Sequence, residues 1–249
     1  MKLKGGVIII GSLIWEDHLI NKEANNNIRK EWRKQNLIDK STLTKVPIRY
    51  GRESQTRENT YTMIFSKSCE DNLGQGLILP FNQDIITFEG LERQAIALAI
   101  AEGIYKPDNL RLTSNWGSVG LLINPKLNLT DFASKELIQK KWTDIYHSYS
   151  DTFIADSYKT NNENSSPITQ DGFLNIAWQT EMDAFDLLIA TPVIPKPKSL
   201  LNAEDIAQRM IDKEYQTYFH NNKKHKIDTA FDDAIKLILD DAEKKATSK

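Results

Sequence analysis

Three stretches of this sequence carry residue types whose spacing could do chemistry. Gly11-Ser12-Leu13-Ile14-Trp15 directly follows the β-branched run Val7–Ile10. A small residue at a strand end lets the backbone turn sharply and exposes its N–H groups. Such donors can hold a carboxylate or a developing oxyanion. A plain tight turn is the other reading of the same residues. The stretch lacks the further glycines and the lysine of a phosphate-binding loop.

Glu102 is the second. It continues the row Leu91, Ala95, Leu98 at i+11, so it projects from the apolar face of a predicted helix over Phe88–Ile104. It also falls in the last turn, where the helix macrodipole disfavours negative charge. Both effects push a glutamate above its ordinary pKa of about 4.3. A carboxylate poised this way suits proton transfer near neutral pH. The competing reading is a helix-end glutamate that bends out to water.

The third is the run from Arg49 to Arg57, with three arginines and the hydroxyls of Ser54 and Thr56. Arg52 and Arg57 could clamp a carboxylate or phosphate through paired N–H groups. The same run also reads as a solvated connector whose charge Glu53 and Glu58 partly offset. His18, His147, His220 and His225 show no metal-ligand spacing, and no HExxH occurs. Nothing in these residues supports a metal site.

The elements that must position these residues follow from periodicity. Strands are predicted at Val7–Ile10, Thr60–Phe65, Gly76–Leu79, Trp116–Ile123, Phe173–Trp178 and Phe185–Ala190. Ile28 and Trp32 mark an amphipathic helix within residues 25–37. The Phe88–Ile104 helix is apolar almost all round, which places it in the core, and Gly103 stops it. Ile138, Trp142, Ile145 and Tyr149 mark another helix. Ser157–Gly172 is polar and reads as an exposed loop. Near the end, Asn202 with Asp205 and Thr229 with Asp232 resemble capping boxes, with the basic connector HNNKKHK between two helices. The irregular interleaving predicts an α+β fold: a mixed, partly closed sheet or barrel of short strands, with packed helices and a helical C-terminal tail. Residues 1–195 form the core and 196–249 a helical extension.

Composition narrows the function classes. The chain has 249 residues, 40% hydrophobic and 27% charged, enough apolar material for a core. Lys and Arg number 32 against 34 Asp and Glu, a net charge of −2 that argues against non-specific nucleic-acid binding. Cys69 is the single cysteine, so no internal disulfide forms and a reducing, cytoplasmic setting is expected. No apolar run reaches the roughly 20 residues of a membrane span. The opening MKLKGGVIIIGSLIW lacks a small-residue cleavage site and runs into Glu16 and Asp17, so secretion is not expected.

The stretch from Gly11 to Trp15 resembles the signature of the gamma-glutamylcyclotransferase family, above all its ChaC-like branch, in which Tyr-Gly-Ser-Leu-Ile-Trp follows the first strand. Glu102-Gly103-Ile104 resembles the Glu-Gly-Val element that carries that family's general base. The resemblance covers roughly residues 5–125. Ile10 stands where the family carries tyrosine, and the final hundred residues have no counterpart in the pattern. The resemblance implies that Glu102 acts as general base. It also implies that the backbone around Gly11, Ser12, Leu13, Ile14 and Trp15 grips a γ-glutamyl substrate, which cyclises to 5-oxoproline with no metal and no organic cofactor required. Arg52 or Arg57 would pair with a substrate carboxylate, on the ground of charge. The alternative expectation is a non-catalytic module on the same fold, holding an anionic small molecule or a partner peptide.

Overall fold

The computed structural model describes residues 2–18, 27–104, 111–127 and 132–247. Strand β1 (Gly5–Ile9) is buried at every position, as a run without polar alternation requires. It lies at the centre of a five-stranded sheet with β2 (Thr42–Val46), β5 (Gly74–Pro80), β6 (Gly120–Ile123) and β7 (Leu187–Ala190), in the order β2-β5-β1-β7-β6. β1 runs antiparallel to β5 and parallel to β7. Strands β3 (Ile48–Ser54) and β4 (Thr60–Phe65) form a separate antiparallel hairpin. The sheet is mixed, as expected. No closed barrel forms among the described residues, because the hairpin keeps its own pairing and β2 and β6 remain edges.

Helix α2 (Phe88–Glu102) begins at Thr87, whose side chain accepts the Gly90 N–H at 3.2 Å. Leu91, Ala95 and Leu98 are fully buried. Gly103, at φ 78°, ends it; its N–H reaches Ile100 O and that of Ile104 reaches Ala99 O at 2.8 Å. Helix α1 (Ile28–Asn36) packs against α2 and buries Arg29 and Trp32. Residues 25 and 26 of the predicted segment lie outside the described residues. Helix α3 (Phe132–His147) carries the buried Ile138 and Trp142.

Three helices follow β7: α4 (Ala203–Asp212), α5 (Thr217–Lys224) and α6 (Asp232–Thr247). The capping box at Asn202 is present, with Asn202 Oδ1 accepting Asp205 N–H at 2.7 Å. The connector HNNKKHK is mostly helix α5 rather than a loop, because Tyr218, Phe219 and Asn222 give it a buried face. Ser157–Gly172 is also not an exposed loop. Tyr158 and Ile168 are buried, and Glu163 is fixed by the N–H and hydroxyl of Thr160 at 2.6 and 2.8 Å. Hydrogen bonds among such polar residues offset the cost of burying them. Phe173–Trp178 makes only isolated bridges, Phe173 to Leu121 and Leu174 to Ile168, and is no strand. The strand predicted from Trp116 starts only at Gly120, because Gly117 O closes a turn on Ser114 N–H at 2.9 Å and Ser118 N–H bonds Pro192 O instead of the ladder. Cys69, in a sequence stretch that reads as a polar loop, is buried.

A candidate active-site cavity

Beyond Ile9 the chain leaves the sheet and winds one 3-10 turn, Ser12–Ile14. Trp15 N–H closes it on Ser12 O at 3.1 Å, and Glu16 N–H on the same oxygen at 2.8 Å. The first N–H groups of any such turn have no partner within it. Among the described residues, the amides of Ser12 and Leu13 donate to no acceptor.

The C-terminal end of α2 reaches the same place. Gly11, Ser12, Leu13, Glu16, Arg29, Arg52, Arg57, Glu102 and Tyr218 are among the residues that line one cavity of about 590 Å³. That volume suits a small-molecule ligand. Of the residues singled out from sequence, Gly11, Ser12, Leu13, Arg52, Arg57 and Glu102 therefore meet. Ile14 and Trp15 are not in the lining. Ile14 packs on the core, and the Trp15 indole donates to Asn222 Oδ1 at 2.9 Å.

Arg29 organises the acid. Its Nε donates to Ala101 O at 3.0 Å, capping a carbonyl of the last turn of α2, where a cation is favoured. Its Nη2 donates to Glu102 Oε2 at 2.9 Å, and its Nη1 to Ser12 Oγ at 3.0 Å and to Glu16. Glu102 Oε1 has no hydrogen-bond partner among the described residues. Burial pushes the Glu102 carboxyl above the usual glutamate range; Arg29 and Arg57 oppose the rise and Glu16 adds to it.

The two arginines of the β3–β4 hairpin differ in their engagements. Arg57 Nη2 donates to Ser12 Oγ at 2.8 Å and Glu16 Oε2 at 2.7 Å, and its Nη1 to Ser54 Oγ at 3.1 Å. It holds the turn in place. Arg52 lies beyond a bulge at Gly51 that breaks the two-residue alternation and turns it away from the face burying Tyr50. Its Nη1 donates to Ile194 O at 2.5 Å, and its guanidinium lies 5.6 Å from the centre of the Trp116 ring. Among the described residues no carboxylate pairs with Arg52. Burial lowers its pKa, against an opposing influence from Tyr158.

The lining thus carries Arg29, Arg52, Arg57 and Lys196 against Glu16, Glu53 and Glu102, a cationic excess that favours an anionic ligand. Among the described residues, no group of three or more His, Cys, Asp or Glu side chains is placed to hold a metal ion. Sequence reasoning missed Glu16, Arg29, Trp116 and Tyr218. One signal for Arg29 was its three-residue spacing from Trp32, which puts both on the buried face of α1. No family model, curated protein or solved structure matches the chain.

Proposed function

We propose that the chain is a γ-glutamylcyclotransferase-like enzyme that converts a γ-glutamyl amine or amide to 5-oxoproline and a free amine. The observation that carries this reading is the common cavity of Glu102 and the amide-exposing Gly11-Ser12-Leu13 turn. In the reaction, the substrate's α-nitrogen attacks its own γ-carbonyl carbon, a C–N bond forms, and the bond to the leaving amine breaks. The step is intramolecular, so the enzyme's main task is to hold the folded conformer. On its way from ammonium to lactam N–H the α-nitrogen sheds two protons; Glu102 takes them in turn, one before attack and one after, and passes them to the departing nitrogen, which leaves as an ammonium. Its raised pKa and its unengaged Oε1 suit that exchange. The Ser12 and Leu13 N–H groups receive a carboxylate or the developing oxyanion. Arg52, which pairs with no carboxylate among the described residues, takes a substrate carboxylate in preference to Arg57, whose guanidinium is bound to Ser12 and Glu16. The reaction as written consumes no cofactor.

Among the described residues no helix is long and apolar enough to cross a membrane. A cytoplasmic site of action belongs to the same proposal and is supported by the sequence's single cysteine, Cys69, which is buried. The deciding experiment offers the purified protein a panel of γ-glutamyl compounds and measures 5-oxoproline. Turnover that Glu102→Gln abolishes supports the proposal; absence of turnover across the panel overturns it.

A second reading has its own observation. Glu102 is ion-paired with Arg29, and a carboxylate held this way can serve structure alone. The chain would then be a binding module for an anionic small molecule. Retention of such a molecule through purification, lost in Arg52→Ala, with no turnover, is its signature.

A further inference from the structure

Tyr218 belongs to α5, far along the chain from both the turn and the acid, yet it lines the cavity. Its side chain is 4% exposed. Three contacts fix the ring: Trp15 edge-on at 6.1 Å, Tyr50 edge-on at 6.3 Å, and the Arg57 guanidinium 5.1 Å from its centre. The hydroxyl is pressed against Gly11, where an added Cβ would collide with it. Gly11 is therefore glycine because a phenol occupies the space beside it.

The direction of the hydroxyl proton follows from its neighbours. The Met63 backbone N–H donates to the Tyr218 oxygen at 3.2 Å. Asn222 hydrogen-bonds the same side chain in the sense that lowers its pKa, as a donor to the phenol oxygen does, while its Oδ1 accepts the Trp15 indole at 2.9 Å. The oxygen is thus occupied as an acceptor. No hydrogen bond donated by the hydroxyl is found among the described residues. A buried hydroxyl whose proton is unspent is costly unless a ligand or water takes it. Burial keeps the phenol protonated at neutral pH, with Arg57 only partly opposing.

We infer that Tyr218 is a catalytic hydrogen-bond donor of this site: its O–H points into the cavity and joins the Ser12 and Leu13 amides in binding the ligand oxygen on which negative charge develops. The inference rests on the cyclotransferase reading for the reaction, but its binding half is independent of turnover. It also makes the C-terminal segment part of the site.

The test is Tyr218→Phe in the full chain, which keeps the ring and its packing and removes only the hydroxyl. Two measurements are made on it and on the wild type: steady-state turnover of γ-glutamyl compounds, and calorimetric binding of 5-oxoproline as probe. The expected result is a fall in kcat of about a hundredfold with KM little changed, and about tenfold weaker binding of the probe. A purely structural tyrosine would lower Tm through the lost Met63 contact and leave kcat of the folded protein untouched. Wild-type turnover with an unchanged kcat in Tyr218→Phe overturns the inference and spares the cyclotransferase reading. No turnover, but weaker probe binding in the variant, overturns that reading and supports Tyr218 as donor. No turnover and no difference in probe binding overturns both.

Discussion

Arg29 Nη2 lies 2.9 Å from Glu102 Oε2, so a residue of α1 holds the acid at the end of α2. The same guanidinium bonds Ser12 Oγ at 3.0 Å and Ala101 O at 3.0 Å. One cation therefore ties together the acid, the helix that carries it and the turn that lines the same cavity. Glu102 and Arg29 each make a prediction of their own.

Replacing Glu102 with Gln preserves its size and its ability to accept from Arg29. It removes proton transfer. The expected loss in kcat is about 10² to 10⁴-fold, with a Tm close to that of the wild type. Full 5-oxoproline formation by the variant would take Glu102 out of the mechanism.

Arg29→Met should act in two ways. Removing a buried cation leaves Glu16 and Glu102 with one fewer partner, a change that costs roughly 3–5 kcal/mol in other buried pairs. Both carboxylates are mostly shielded, with side-chain exposures of 15% and 18%. Because Arg29 is the larger of the influences holding the Glu102 pKa down, its loss raises that pKa further. The rate requires ionised Glu102, so the acid limb of the pH–rate profile should move to higher pH. An acid limb that stays in place would show that Glu102 is not the group being titrated.

For Arg52→Ala, the expectation is weaker ligand binding with little loss of fold. Arg52 pairs with no carboxylate among the described residues, and its one side-chain hydrogen bond is to Ile194 O. A charge-assisted bond to a ligand carboxylate contributes about 1.5–3 kcal/mol, which reads as a KM or Kd raised by roughly tenfold or more. An unaltered affinity would assign Arg52 to structure.

Asp232 gives a stability prediction remote from the cavity. Its Oδ1 accepts the Thr229 N–H at 2.8 Å and the Thr229 hydroxyl at 2.6 Å, while Oδ2 is buried with no hydrogen-bond partner among the described residues. Burial raises its pKa from 3.8 to about 6, the Thr229 bonds opposing. The folded state thus binds this proton more tightly than the unfolded chain. The resulting stabilisation is full below about pH 4 and is lost as pH rises through about 6, a swing of roughly 3 kcal/mol. Asp232→Asn retains the Oδ1 acceptor and removes the titration. Denaturant unfolding at about pH 4 and about pH 7 should show the variant gaining on the wild type at the higher pH. Equal differences at both would refute the assignment.

The readable parts of this molecule were those whose information is local. The row Leu91, Ala95, Leu98, Glu102 and the stop at Gly103 lie within one helix, so spacing alone placed the acid at the helix end. The Asn202–Asp205 cap is equally local. That the acid faces the turn at Ser12 depends on Arg29, which sits in the charged stretch IRKEWRKQN. Nothing in such a stretch separates a buried arginine from a solvated one, because the partners that make burial tolerable are distant in sequence. The same holds for Glu163, whose partners Ser66 and Ser68 lie 97 and 95 residues away. Polar composition signalled exposure there, and internal hydrogen bonding overrode it. The Arg49–Arg57 run shows both outcomes. Arg52 reaches the cavity through a bulge that no alternation pattern foretells, while Arg49 is buried against Ser66.

Trp15 and Asn222 are hydrogen-bonded across 207 residues of chain. As the polypeptide emerges from the ribosome, the turn and the acid are made long before the helix that covers them. Until α5 is synthesised and docks, the groove stands open on that side, and Gly11 leaves a gap that no other side chain fills. Ligand binding should therefore begin only once α5 has been released, and a nascent chain halted before Thr217 should remain inert although it already holds Ser12, Arg29 and Glu102.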